Sequence, residues 1–132
     1  MSARFKVRAG KSRIEGTGVF AVEPIPARRK IGELAGEIIS QREARRRAKV
    51  RERIAIVEFG DGKALDADSD RLMRYINHSC DSNCYIRLAN HRVEFYSRRA
   101  IGVGEELSAD YGETHHVNTP CRCGAVNCRG ML

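Results

Sequence analysis

The apolar positions along the chain come in short runs that glycine, proline and charged residues interrupt. Residues 4–8 alternate charged with apolar side chains, as a half-buried strand does. Residues 18–22 form an apolar run that two prolines close. Residues 30–39 predict one or two further strands broken by glycine. Short strands with glycine inside them predict a sheet with bends.

The second half of the chain predicts two hairpins, one over residues 54–67 and one over residues 84–99. The first hairpin turns at the Gly-Asp-Gly triplet 60–62, and the second turns about residues 89–91. A short helix is predicted at residues 70–76, between the hairpins. Because no repeat or linker is present, the pattern predicts one mainly-β domain of short strands.

One segment has the pattern of a helix, from about residue 41 to residue 53. Ser40 and Glu43 have the spacing of a capping box, and good helix formers follow them. Its apolar side is only Ala44 and Ala48, so we expect the helix to lie on the surface. The segment is strongly basic, with the cationic residues Arg42, Arg45, Arg46, Arg47, Lys49, Arg51 and Arg53.

The amino-acid composition limits the classes of protein to which the chain can belong. The 132 residues suffice for one domain, and 42% hydrophobic with 31% charged residues is the range of soluble globular proteins. The apolar runs are short and the N-terminus opens charged, so neither a signal peptide nor a membrane span is expected. We therefore expect a soluble intracellular protein. The net charge of +7 favours either phosphate-bearing partners or a solvated basic surface, and both interpretations stay open.

The cysteines cluster toward the C-terminus. They are Cys80, Cys84, Cys121, Cys123 and Cys128. An odd, clustered set differs from a secreted disulfide framework and favours metal ligation. Tetrahedral zinc takes four such ligands, so Cys80 or Cys84 has to complete a site begun by the three cysteines of the tail. Free buried thiols, and ligation by the histidine pair 115–116, remain the alternatives.

A polar segment, Arg74-Tyr75-Ile76-Asn77-His78-Ser79-Cys80, precedes that tail. Buried amide and imidazole groups need partners, either backbone or ligand. From Asn77 and His78 alone, the favoured interpretation is a pair of core side chains whose hydrogen bonds are made within the protein. The order of four motifs changes that preference. They are Gly16-Thr17-Gly18, Arg74 to Cys80, Gly104-Glu105-Glu106-Leu107-Ser108-Ala109-Asp110-Tyr111, and Cys121-x-Cys123-x4-Cys128.

In this order the motifs resemble those of the SET-domain protein-lysine methyltransferases with a post-SET zinc segment. Residues 11–18 look most like the trithorax-type branch, here in a small stand-alone form. The resemblance implies a SET-domain fold of small curved β-sheets with a threaded C-terminal segment, a pseudoknot. It places the SET domain at residues 1–114, a variable basic helical insert at about residues 40–54, and a zinc-binding post-SET tail at residues 115–132.

The resemblance also implies S-adenosylmethionine as methyl donor and structural zinc. Carried over by position, the cofactor-binding residues are Glu15, Gly16, Thr17, Gly18, Arg74, Asn77, His78 and Arg122. The zinc ligands are Cys80, Cys121, Cys123 and Cys128, which leaves Cys84 as the spare cysteine. Tyr111 is the expected catalytic residue, because its hydroxyl can orient the lysine amine. The alternative is an aromatic residue of the core with a satisfied hydroxyl.

Two positions depart from the family pattern. Leu34 stands where the family often has tyrosine, and Ala109 stands where it usually has an aromatic residue. An alanine leaves more room, so the substrate channel of Leu34, Ala109 and Tyr111 is predicted to be wide and to permit di- or trimethylation. The same departures admit a second function, a noncatalytic zinc-stapled SET-like module that binds nucleic acid or protein.

The partners implied are a lysine-bearing protein or peptide, a histone or another basic protein, and no membrane. The basic helix predicts contact with DNA or a nucleosome, against the alternative of a solvated helix. Localisation in cytoplasm or chromatin, of its own cell or of a host, stays open. The oligomeric state stays open as well, since stand-alone SET proteins can dimerise.

Overall fold

The computed structural model of the protein describes residues 4–51 and 55–110. In chain order the elements are β1 (Val7–Lys11), β2 (Thr17–Ala21), β3 (Lys30–Glu33), β4 (Glu37–Ser40), α1 (Gln41–Val50), β5 (Ile56–Glu58), β6 (Lys63–Asp66), a 3-10 turn (Met73–Tyr75), β7 (Asn77–His78), β8 (Cys84–Ala89), β9 (Arg92–Ser97) and β10 (Glu106–Ala109). The predicted mainly-β architecture is confirmed. No helix in the described ranges is long and apolar enough to cross a membrane.

The strands form two sheets. The larger sheet has the order β1-β2-β10-β8-β9-β3, and β7 also pairs with β10. Neighbouring strands of this sheet are antiparallel in every pair but two. The two parallel pairs are those of β10 with β7 and with β8. The smaller sheet has the antiparallel order β4-β6-β5 and carries α1. The last described strand therefore lies between a hairpin from the start of the chain and a segment from its middle.

The main hydrophobic core lies against the larger sheet. Its most deeply buried side chains are Val19, Ile25, Ile31, Met73, Ile76, Ile101 and Leu107. Val93, Phe95 and Ser97, at alternate positions of β9, are all buried. Alternate side chains of β9 therefore share one buried face, as the period of a strand requires.

Three predicted boundaries need correction. The strand expected at residues 4–8 spans Val7–Lys11, because backbone pairing with β2 begins only at Val7. The helix expected to reach residue 53 ends at Val50, and Arg51 adopts an extended conformation. The helix expected at residues 70–76 is a 3-10 turn, Met73–Tyr75, because the Asp70 carboxylate accepts hydrogen bonds from nearby backbone N–H groups.

Helix α1 is attached to the smaller sheet by one apolar contact and one buried carboxylate. Ser40 caps it through a hydrogen bond from the Glu43 backbone N–H at 3.1 Å, as the capping-box spacing predicts. Ala44 is buried against the small sheet. Asp66 on β6, whose side chain is only 4% exposed, accepts hydrogen bonds from Arg47 and Arg51 at 2.7 and 2.8 Å. The two arginines therefore turn inward, although the sequence places them in a basic surface segment.

Two opposing effects set the pKa of Asp66. Burial alone would raise that pKa, and the hydrogen bonds from Arg51 and Arg47 outweigh burial and lower it to about 2. An aspartate in the unfolded chain has a pKa near 3.9. Asp66 therefore contributes stability that is complete above about pH 4 and is lost as the pH falls toward 2.

We expect Asp66→Asn to lower the free energy of unfolding by about 2 kcal/mol at pH 7, because it removes the charge that both arginines bind. Urea unfolding measured from pH 7 down to pH 2.5 checks this, and the difference from the parent should shrink below pH 4. Asp68→Asn, at a half-exposed neighbouring carboxylate, is the control and should change stability by less than about 0.5 kcal/mol. A loss that stays the same at pH 7 and pH 2.5 would contradict the charge argument.

Candidate active site

Asn77 on β7 is the centre of a hydrogen-bonded cluster. Its side-chain nitrogen Nδ2 lies 2.9 Å from the Glu15 carbonyl oxygen and 3.1 Å from the Thr17 carbonyl oxygen. The same nitrogen lies 3.0 Å from Ser12 Oγ and 3.2 Å from Glu106 Oε2. All four neighbours are oxygens, which identifies the nitrogen end of the amide. Residues from the start, middle and end of the described chain thus meet at one side chain.

The loop between β1 and β2 has the conformation needed to present those carbonyl groups. Ser12 closes the loop, since its N–H donates to the Gly16 carbonyl at 2.8 Å and its hydroxyl accepts from the N–H groups of Ile14 and Glu15. Gly16 has a φ of 46°, in the left-handed region that favours glycine. This explains the first glycine of the Gly16-Thr17-Gly18 motif by backbone geometry.

The second glycine of that motif makes room for a carboxylate. A Cβ atom at Gly18 would collide with the Glu106 carboxylate and would lie 3.0 Å from the Ser12 Cβ. Glu106 accepts a hydrogen bond from the Ser12 hydroxyl at 2.7 Å. Sequence reasoning assigned no role to Ser12 or Glu106. The available signal for Glu106 was its place at the start of a strand in the Gly-Glu-Glu-Leu segment.

His78 lies beside the cluster and is buried. Its Nε2 atom is 3.5 Å from Cys80 Sγ, and its Nδ1 atom is 3.7 Å from Asp110 Oδ1. The backbone of Ser79 donates to the Ala109 carbonyl at 3.1 Å, which ties this segment to β10. The Asn77-His78-Ser79-Cys80 segment is thus anchored to the strand that leads to position 111.

Several predicted site residues lie outside the described part of the chain. They are Tyr111, Cys121, Arg122, Cys123 and Cys128. Within residues 4–51 and 55–110 there is no group of three metal-ligating side chains. The predicted zinc set contributes only Cys80 to that range, so the zinc site stays a prediction.

Arg74 makes its contacts away from the Asn77 cluster. Its guanidinium donates to the Asp68 carbonyl oxygen at 2.6 Å and lies over the Tyr75 ring at 5.2 Å from the centroid. The structure therefore brings Asn77 together with the Glu15–Thr17 backbone but does not bring Arg74 to them. Its assignment to the cofactor stays a prediction.

Two of the three residues predicted to line the channel, Leu34 and Ala109, lie in or against the core, and the third, Tyr111, is outside the described residues. Leu34 is half-buried, and its N–H donates to the Val93 carbonyl at 2.9 Å. The following residue, Ala35, donates its N–H to Asp70 at 2.8 Å, so a buried carboxylate that sequence reasoning missed positions this loop. Ala109 on β10 is fully buried. The two positions that depart from the family pattern thus have well-defined backbone contacts.

Cys84, the spare cysteine, is a core residue. It is fully buried on β8, and its thiol donates to Asn83 Oδ1 at 3.3 Å. Burial raises the pKa of the thiol to about 12, so the thiolate that binds a metal is disfavoured there. Cys80 is only partly buried. Between these two cysteines, the environment of Cys80 is the better one for a metal ligand.

Comparison with known proteins agrees with this geometry. The SET domain family model matches residues 16–112. The chain is 38% identical over 138 residues to human histone-lysine N-methyltransferase SETD1A, covering 96% of this chain and 8% of that protein. It is 39% identical over 134 residues to the "histone-lysine N-methyltransferase, H3 lysine-4 specific" of Schizosaccharomyces pombe, covering 93% and 15%.

The chain therefore belongs to the SET-domain family, as the resemblance of the four motifs predicts. A further relative, histone-lysine N-methyltransferase SETD1B of Xenopus laevis, is 37% identical over 141 residues, with 96% of this chain and 7% of that protein covered. The chain thus spans only a small fraction of the length of these relatives.

Proposed function

We propose that the chain transfers methyl groups from S-adenosylmethionine to lysine side chains of a histone. The observation that carries the proposal is the meeting of Asn77 with the carbonyl groups of Glu15 and Thr17, 62 and 60 positions away in the chain. The relatives are named histone-lysine N-methyltransferases, which supports this activity and substrate class. Lysine 4 of histone H3 is the first candidate because the fission yeast relative is named as specific for it.

The residues of the cluster suit the amino-acid end of the cofactor. A peptide carbonyl oxygen has two lone pairs, so the Glu15 and Thr17 carbonyls can accept a further donor while they bind Asn77. An ammonium group is such a donor. We propose that the Glu15–Gly18 backbone and Asn77 hold this end, together with His78. Arg74 and Arg122 are proposed to hold other polar groups of the cofactor.

The protein has to align the lysine amine with the methyl group of the cofactor and exclude water from around the amine. When bound, S-adenosylmethionine supplies a methyl group on a positively charged sulfur. A free lysine has a pKa of about 10.4, and a dry channel lowers that pKa because burial disfavours the charged form. We propose that Leu34 and Ala109 line that channel once a lysine side chain enters it. Tyr111 orients the amine through its hydroxyl, and alignment supplies the proximity effect without a strong base.

We expect Tyr111→Phe to lower the rate of methyl transfer to a histone H3 peptide by about 100-fold, since only the orienting hydroxyl is lost. A tritiated-methyl assay measures the rate. Binding of S-adenosylhomocysteine should change by less than about threefold, because the Asn77 cluster is intact.

A rate that Tyr111→Phe leaves unchanged would remove the catalytic role of that tyrosine. A parent protein that neither binds S-adenosylhomocysteine nor transfers methyl groups to histones or other basic proteins would overturn the proposed function. The noncatalytic module would then be the better interpretation.

The width of the channel is a separate proposal that rests on Ala109. An alanine side chain is smaller than the aromatic ring usual in the family, so a lysine that already carries a methyl group still fits. We expect the parent protein to convert peptide into di- and trimethyl-lysine at long incubation times, with efficient use of a monomethylated peptide. Mass spectrometry of the products checks this, and an end point of monomethyl-lysine alone would contradict it.

We further propose that Cys80 joins Cys121, Cys123 and Cys128 in a structural zinc site. The partial exposure of Cys80 and the deep burial of Cys84 support the choice of Cys80. A closed zinc site contributes on the order of 10 kcal/mol to folding in small domains.

Elemental analysis of protein purified without chelator should find about one zinc ion per chain. Cys80→Ser should reduce that content strongly, because one of four ligands is lost. Cys84→Ser is the matched control and should retain zinc even if the melting temperature falls. Zinc that persists in Cys80→Ser, or an absence of zinc from the parent, would refute this ligand set.

Contact of helix α1 with DNA or a nucleosome stays a prediction. Three of its four arginines already bind carboxylates of the same domain, in the pairs Arg45–Glu58, Arg46–Glu43 and Arg47–Asp66, and Arg51 just after the helix also binds Asp66. Arg42 and Lys49 have no ion-pair partner within the described ranges. These ion pairs favour the interpretation of a solvated structural helix. A histone substrate places the proposed reaction at chromatin, and the oligomeric state stays open.

A further inference from the structure

Glu106 is a half-buried carboxylate whose hydrogen-bond partners are neutral. Its Oε2 atom accepts from the Ser12 hydroxyl at 2.7 Å and from the Asn77 amide at 3.2 Å. No cationic side chain in residues 4–51 and 55–110 forms an ion pair with it. The next carboxylate, Glu105, differs, because it binds Arg99 at 2.7 Å and the Asn83 amide at 3.0 Å. A charge is therefore built into the Asn77 cluster without a counter-charge from the described residues.

The direction of the hydrogen bonds follows from the donors around Ser12. Its hydroxyl oxygen receives N–H groups from Ile14, Glu15 and Asn77. The hydroxyl proton has one acceptor left among these contacts, which is Glu106 Oε2. Both contacts of that carboxylate oxygen thus come from donors, the Ser12 hydroxyl and the Asn77 amide.

The space for this carboxylate comes from Gly18. Any Cβ atom at that position would collide with the Glu106 side chain. The cluster therefore has three independent features that place one negative charge at one point: a missing side chain at Gly18, the Ser12 hydroxyl and the Asn77 amide. A partly buried carboxylate is costly unless hydrogen-bond donors or a positive group compensate it.

The oxygen atoms around the Asn77 side-chain nitrogen indicate which kind of positive group the cluster can bind. It has two N–H bonds, yet four oxygen atoms lie within 3.2 Å of it. An amide nitrogen can serve only two acceptors well, so the cluster favours a ligand that brings further N–H donors and a positive charge. A primary ammonium group has three donors and a compact charge.

We propose that Glu106, held by Ser12 and Asn77, is the electrostatic partner of the α-ammonium group of the cofactor. The inference rests on the proposed function, because it assumes that the methionine end of S-adenosylmethionine lies at the Glu15–Thr17 carbonyls. Glu106 and Ser12 thereby become residues that determine affinity for the charged amino group. They act on binding and not on the transferred methyl group.

The test compares two ligands that differ only in the amino group. S-adenosylhomocysteine carries it, and its deaminated analogue keeps the adenosine, the thioether and the carboxylate. Calorimetry gives Kd for both ligands with the parent and with Glu106→Gln, which keeps the shape of the side chain and removes its charge. We expect a loss of about tenfold in affinity for S-adenosylhomocysteine and no loss for the deaminated analogue.

Glu105→Gln is the matched control, because it removes the adjacent charge and leaves the Asn77 cluster intact. It should leave the ratio of the two affinities unchanged. Ser12→Ala keeps the carboxylate but removes the hydroxyl that aims it, so we expect a smaller selective loss of about threefold. Ser12→Ala also serves as the test should Glu106→Gln not fold.

The outcomes separate the two proposals. Equal losses for both ligands, or no loss for either, would overturn the role of Glu106 while leaving the proposed function intact. A parent protein that binds neither ligand would overturn the proposed function and this inference with it. A loss confined to the ligand with the amino group supports both.

Discussion

Strand β10 pairs with three other strands, and the core and the candidate site both depend on those pairings. Leu107 pairs with Val19 of β2 and is fully buried, while Ala109 pairs with both β7 and β8. Glu106 pairs with Phe20 of β2 and places its carboxylate against Gly18, and Asn77 pairs with Ser108. One short strand therefore supplies apolar contacts on the core side and positions the polar cluster beside the core. A shift of β10 by one residue would exchange these two roles.

Local sequence patterns predicted most of the helices and strands, but several of these elements begin or end at other residues than predicted. The cap at Ser40 and the glycine turn before β6 depend on neighbouring residues, so the sequence sufficed for them. Arg51, just after α1, donates a hydrogen bond to Asp66, 15 positions away, and no local pattern reveals that contact. Asn77 and the glycine motif were found through the order of motifs. Ser12 and Glu106 were missed because their contact is 94 positions long and neither residue type is distinctive.

The domain uses its charges in two different ways. At the small sheet, Arg47 of α1 and Arg51 just after the helix turn inward to Asp66, and these ion pairs attach the helix to the sheet. In the cluster around Asn77 a carboxylate is held by neutral donors instead. The formal charge of +7 therefore says little about where a partner binds, since local pairing decides which charges are available. At the candidate site, the charge without a counter-charge from the described residues is the negative charge of Glu106, although the protein as a whole is basic.

The long span of the Ser12–Glu106 hydrogen bond has a consequence for folding. Closing a loop of that length requires most of the chain to be in place, and contacts of high sequence separation form slowly and late. The cluster is therefore complete only in the folded domain, and the unfolded chain has no equivalent of it. A ligand that binds there stabilises the native state by mass action, in proportion to the logarithm of its concentration over Kd. The supply of such a ligand would thus shift how much of the protein is folded, and therefore resistant to proteolysis, at equilibrium.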